Sequence, residues 1–203
     1  MKSVLFWLLL AAVPGWSETR GATFAPVVLY TQYAQAPPEA VRHALQEEVE
    51  RIMSPLGFVF EWRDIADPTG QRVSAELALI TFEGRCDTGI ATPSGKRSGP
   101  LGWTHISDGQ ILPFTSVSCD RVREIVQPIL VTSHSEARPG IYGHALARVL
   151  AHELYHIFAR TQHHGSLGVA KESYSMWDLV DAEFRFEDKE SNLLRSTRAA
   201  GTW

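Results

Sequence analysis

Residues 152–156 read His-Glu-Leu-Tyr-His, and this short stretch constrains the chain more than any other. On an α-helix, positions four apart share one face, so His152 and His156 can grip a single metal ion. Glu153 lies beside them, where its carboxylate can reach a water held by that metal. This is the arrangement for metal-assisted hydrolysis with Glu153 as general base. The motif requires a helix, and the run from Gly143 to Phe158 supplies one. It is rich in Ala and Leu and contains neither Pro nor a further Gly. With 8 His and 15 Glu in 203 residues, chance would place one such motif roughly two per cent of the time. The neighbours decide against chance. Val149, Leu150, Tyr155, Ile157 and Phe158 make the helix apolar over most of its girth, so the motif is expected to be buried. Buried imidazoles and a buried carboxylate need partners, and a metal ion provides them.

The chain opens Met1-Lys2-Ser3, followed by an apolar run from Val4 to Val13 and then Pro14-Gly15-Trp16-Ser17. The run is too short to span a bilayer comfortably. With its basic start and small residues at Gly15 and Ser17, it reads as a secretory signal peptide (residues 1–17) cleaved after Ser17. The mature protein is then secreted or periplasmic, with no stable membrane span. Residues 18–203 are enough for one domain, divided into an upper part, 18–164, and a small carboxyl-terminal part, 165–203. The 19 basic and 23 acidic residues leave a net charge of -4 and no basic patch, which argues against a nucleic-acid partner. A monomer is expected. Cys86 and Cys119 are the two cysteines. In an exported chain an even pair suggests a disulfide. It would close a loop of roughly 33 residues, worth about 3–4 kcal/mol in the chain-entropy account.

Hydrophobic period and turn residues divide the chain into a strand at 26–32, a helix from Pro37 to Met53, and strands at 57–63 and 73–82. Residues 84–100 are rich in Gly, Pro, Ser and Thr and read as a long loop. Two further strands, 101–107 and 111–118, flank the turn Ser107-Asp108-Gly109; Pro113 suggests an edge position or a bulge for the second. Asp120 opens a helix to about Val131, disturbed by Pro128. Arg138-Pro139-Gly140 breaks the chain before the metal helix, and a short helix at 177–183 and a charged helical tail at 187–198 close it. The order implies an α+β fold, a mixed sheet of about four to five strands packed on two long helices.

Two histidines leave a site incomplete, because catalytic zinc takes three protein ligands and keeps the fourth position for water. The candidates downstream are His163, His164, Glu172, Asp178 and Asp181. On a continuous helix residues 152 and 163 would stand about 16 Å apart, so the chain must turn back between Ala159 and Gln162. The stretch His152-Glu-Leu-Tyr-His156-Ile-Phe-Ala159-Arg-Thr-Gln162-His163-His164-Gly165 resembles the zincin metallopeptidases, and within them the metzincins. Their pattern is His-Glu-x-x-His-x-x-Gly-x-x-His, followed by a methionine-containing turn under the metal. Ala159 stands at the family glycine and Gln162 at the family third histidine. The stretch also looks like a group of exported bacterial zincin-like proteins whose third histidine comes twelve residues after the first, with a glycine four residues on, as Gly168 is here. That favours His164 over His163 as the third ligand. The resemblance further implies that Met176 forms the methionine turn, that Tyr174 polarises the substrate carbonyl or the oxyanion, and that strand 101–107 is an edge against which extended peptide lies. Trp103 and His105 are the candidate substrate contacts on that strand. His144 is expected to be structural, and His43 and His134 to be solvated.

The resulting expectation is an exported zinc endopeptidase acting on a peptide or protein substrate. Zn(2+) would be held by His152, His156 and His164. Two alternatives stand beside it. One is a His-His-Glu site completed by Glu172. The other is a zincin-like fold kept as a binding module, with zinc purely structural.

Overall fold

The computed structural model describes residues 25–67, 76–90 and 99–201. The predicted signal peptide and cleavage point lie outside the described residues, as does the start of the third expected strand. Five strands, β1 (Val27–Tyr33), β2 (Phe60–Asp64), β3 (Leu77–Glu83), β4 (Gly102–Ser107) and β5 (Gln110–Ser118), form one mixed sheet in the order β2-β1-β3-β5-β4. The first four in that order run parallel, and β4 pairs antiparallel with β5 at the edge. The helices are α1 (Glu39–Met53), α2 (Cys119–Thr132), α3 (Arg138–Ala159), α4 (Met176–Val180) and α5 (Asp188–Ala200). This agrees with the expected α+β class and with 101–107 as an edge strand.

α3 is the axis of the molecule. All its residues from Ala145 to Ala159 are buried, as an all-round apolar sequence requires. It packs against α1, α2, α4, α5 and the β4–β5 hairpin. The expected break at residues 138–140 is instead its first turn. Pro139 sits at the helix start, where a missing N–H costs nothing and the fixed φ suits the helix. The far end stops at Arg160, in the left-handed region at φ 47°, which turns the chain back beneath the helix. Thr161 N–H then donates to the His156 carbonyl. The reversal demanded by the histidine spacing is therefore made by an arginine.

Of the edge position and the bulge that Pro113 suggests, the structure has the bulge, on an inner strand. Thr104 pairs with Thr115 and Ile106 with Ile111, so three β5 residues stand opposite His105 alone. β5 pairs with β3 only from Phe114 onward. The ladder N–H that proline lacks is thus not called for at that position.

The sequence 187–198 is no loose tail. Leu194 and Arg198 of α5 are buried, and the Arg198 guanidinium reaches Glu76 and the carbonyls of Gly57 and Ala25 while lying over the Phe58 ring. A second buried arginine, Arg148 of α3, pairs with Glu48 of α1 at 2.9 Å, each side chain only 3 % exposed. It also donates to the carbonyls of Asp178 and Asp181. The Cys86–Cys119 disulfide is present, with a Cα–Cα distance of 4.9 Å, and ties the segment after β3 to the first residue of α2.

Candidate metal centre

His152 and His156 lie one turn apart on α3, and the reversal at Arg160 brings His164 back against them. One donor atom from each of the three lies within 4.8 Å of the others. The His164 ring stacks on His152 at 5.1 Å between centroids and meets His156 edge-on at 4.9 Å. His163 points elsewhere. It lines a neighbouring hollow with Arg160 and Gly109. Glu172 lines the mouth of the histidine cavity without joining the donor cluster.

The hydrogen bonds fix which nitrogens face inward. His152 Nδ1 lies 2.8 Å from the Val169 carbonyl and His156 Nδ1 lies 2.7 Å from the Thr161 carbonyl. A carbonyl only accepts, so both Nδ1 atoms carry the proton and both Nε2 atoms present a lone pair. Those two Nε2 atoms are 3.0 Å apart. Burial, with the neighbouring His156 charge next in weight, pushes the His152 pKa down to about 3, and burial also lowers that of His156. Both shifts disfavour a proton between the two lone pairs. A cation held between them would relieve the conflict. Two nitrogens at about 2.0–2.1 Å from a tetrahedral zinc stand about 3.3 Å apart, close to the separation seen. Three imidazoles suit zinc, copper, iron or nickel better than calcium or magnesium. The residues therefore fit a transition-metal ion, and the two carbonyl acceptors are the outer contacts that orient such ligands.

Glu153 is 5 % exposed, and burial drives its carboxyl up to about 7 against the opposing pull of a hydrogen bond from Thr104. Thr104 Oγ1 donates to Glu153 Oε2 at 2.8 Å and lies 3.2 Å from the Glu153 carbonyl. Tyr174 stands edge-on to His152 at 5.6 Å, and its hydroxyl donates to the same Val169 carbonyl that His152 uses. Burial, reinforced by the Glu153 charge, holds that phenol well above its usual range, so it keeps its proton.

All of these groups open onto one cavity of about 520 Å³. Its walls include Trp103, Thr104, Ile106, Ile111, Arg121, Ile125 and Val149. Of the two expected substrate contacts, Trp103 lines the cavity, whereas His105 is exposed beside the bulge and is not part of the lining. Met176 is half-buried and opens α4 behind its capping residue Ser175. His144 is half-buried near Glu48, its pKa lowered by burial, in keeping with a structural role.

Three contributors escaped sequence reasoning. Gly102 and Thr104 lie two apart on β4 and therefore on one face, and both meet Glu153. An isolated glycine inside a strand is the sign of a close backbone approach, and Gly102 carried that sign. Arg121 had no such marker. Comparison with protein-family models, curated proteins and solved structures finds no match to this chain.

Proposed function

We propose that the protein is an exported, metzincin-like zinc endopeptidase. The observation that carries this reading is a buried carboxylate, Glu153, opening onto the same cavity as three convergent imidazoles, two of which are tautomerically committed to present Nε2. His152, His156 and His164 would hold the ion. When bound, zinc supplies Lewis acidity, acidifying a water and polarising the scissile carbonyl.

The side chains supply the rest. Glu153 takes the proton from the attacking water and returns it to the leaving amine. Its burial keeps bulk water from competing for the proton it carries. Thr104 holds one carboxylate oxygen and so fixes the rotamer from which the transfer occurs. Tyr174, a protonated donor in the cavity wall, serves the developing oxyanion by exchanging the Val169 carbonyl for it. Extended peptide lies along β4 as an added strand, with Trp103 at the cleft. Met176 is the counterpart of the methionine turn. The disulfide agrees with an oxidising compartment, and we retain the monomer as the working state.

Elemental analysis of the purified protein should give one zinc per chain, and His164→Ala should lose most of it. Metal-loaded protein should cleave members of a broad peptide library. Glu153→Gln should keep the metal and stop cleavage. Continued turnover by Glu153→Gln would dismiss the mechanism. A loaded wild type that cleaves nothing would leave a binding module with structural zinc.

A further inference from the structure

Among the described residues, Arg121 is the one Lys or Arg in the wall of the proposed catalytic cavity. It sits in the first turn of α2, and Ile125, four residues on, shares its face and lines the cavity with it. The neighbouring charges are otherwise engaged. Arg123 pairs with Asp87 at 2.8 Å and with Asp120, on another side of the helix. Arg121 forms no ion pair among the described residues, and its Nε is buried without a hydrogen-bond acceptor. A guanidinium keeps its charge throughout the range in which proteins work, and a buried N–H left without an acceptor is costly. The cavity it lines also carries the apolar side chains of Leu101, Ile106, Ile111, Ile125 and Val149, with Glu153 and Glu172 as its two carboxylates. The wall of a mixed polar and apolar cavity thus holds a half-buried guanidinium whose Nε has no acceptor. The volume is that of a small-ligand or side-chain pocket, not of a protein-docking face.

We propose that Arg121 receives a carboxylate of the bound peptide, so that the accepted substrates carry an acidic group close to the bond attacked. The carboxylate comes either from an Asp or Glu side chain or from the peptide's own carboxyl terminus, since both offer the two oxygens that a guanidinium fork engages. The apolar side chains Ile125, Ile106 and Ile111 in the wall favour an aliphatic stem, so Glu suits the cavity better than Asp. This assignment of substrate class rests on the hydrolytic reading above.

The test measures binding and cleavage separately. Zinc-loaded Glu153→Gln protein is titrated calorimetrically with N-acetylated hexapeptides carrying Glu, Gln or Leu at each position in turn, as free acids and as amides. We expect a Glu peptide to bind at least tenfold more tightly than its Gln twin. If the carboxyl terminus is the source, the free acid gains that factor over the amide instead. Arg121→Gln should abolish the preference and leave the affinity for Leu peptides unchanged. Arg121→Lys should restore part of it. Equal binding of acidic and neutral peptides to the Glu153→Gln protein, which needs no change at Arg121, would overturn the proposal. So would a preference that survives Arg121→Gln. Arg121-dependent binding of acidic peptides by a protein that cleaves none would retire the hydrolytic reading alone. Cleavage by the wild type without acid preference would retire the pocket assignment alone.

Discussion

Gly102 of β4 lies so close to Glu153 of α3 that a Cβ at residue 102 would stand 2.8 Å from Glu153 Oε1 and 2.9 Å from its Cγ. The edge strand and the metal helix thus meet at the proposed general base, with hydrogen as the only side chain that fits between them. Gly102→Ala must displace either the strand or the carboxylate. Overpacking of this kind costs about 1–3 kcal/mol. We expect chemical denaturation to show that loss, zinc content to be kept, and peptide cleavage to fall far more than stability does.

Metal-free protein should report the buried Glu153 in its pH dependence. A carboxyl whose folded-state pKa is raised from 4.5 to about 7 holds its proton more tightly in the folded chain. Its contribution therefore lowers stability as pH rises through that window, with the penalty complete above it. Glu153→Gln removes the penalty. Metal-free Glu153→Gln should exceed metal-free wild type by about 3 kcal/mol at pH 8, with the gap closing towards pH 4.5. Urea unfolding at pH 5 and pH 8 checks this, and a gap that widens on acidification would contradict it.

Chelation should destabilise the loaded protein. A ligand present at about a thousand times its dissociation constant contributes about 4 kcal/mol, or about 10 °C in melting temperature for a domain of this size. His164→Ala should melt at nearly the same temperature with and without chelator. His163→Ala should behave as wild type, because His163 lines a different hollow.

Arg160 closes α3 at φ 47°, a conformation that costs a residue with a Cβ about 1 kcal/mol or more and a glycine very little. Arg160→Gly should raise the unfolding free energy by about 0.5–1 kcal/mol without altering zinc content. A loss of stability would mean that the arginine side chain contributes more than its backbone strain removes.

The parts of this molecule legible in its sequence are those governed by local period and spacing. The edge position of strand 101–107 and the choice of His164 over His163 came from the resemblance to known zincins, whereas the helix under His152 and His156 and the reversal after Ala159 followed from residue order. So did the disulfide, because two cysteines in a chain read as exported leave a single pairing. Features set by distant contacts were not legible. The burial of Arg198 depends on Glu76 and on the carbonyls of Ala25 and Gly57, far away in the chain. Pro113 reads as an edge or a bulge residue, and only the pairing with β4 decides for the bulge. Thr104 reads as an ordinary strand residue until α3 lies across it. The start of α3 is ambiguous for a local reason: Pro139-Gly140 reads as a stop signal, yet the same proline serves as a first-turn residue.

The Val169 carbonyl that both His152 and Tyr174 use belongs to the short turn Gly168–Ala170. At Gly168, with φ +62°, a Cβ would lie 2.2 Å from the Arg185 carbonyl, to which Val169 N–H also donates. The carboxyl-terminal segment therefore grips the turn, and the turn dictates which nitrogen of His152 keeps its hydrogen. A chain severed ahead of Arg185 would lose the acceptor that anchors this turn. Tuning of the centre thus extends some thirty positions past the motif that announces it.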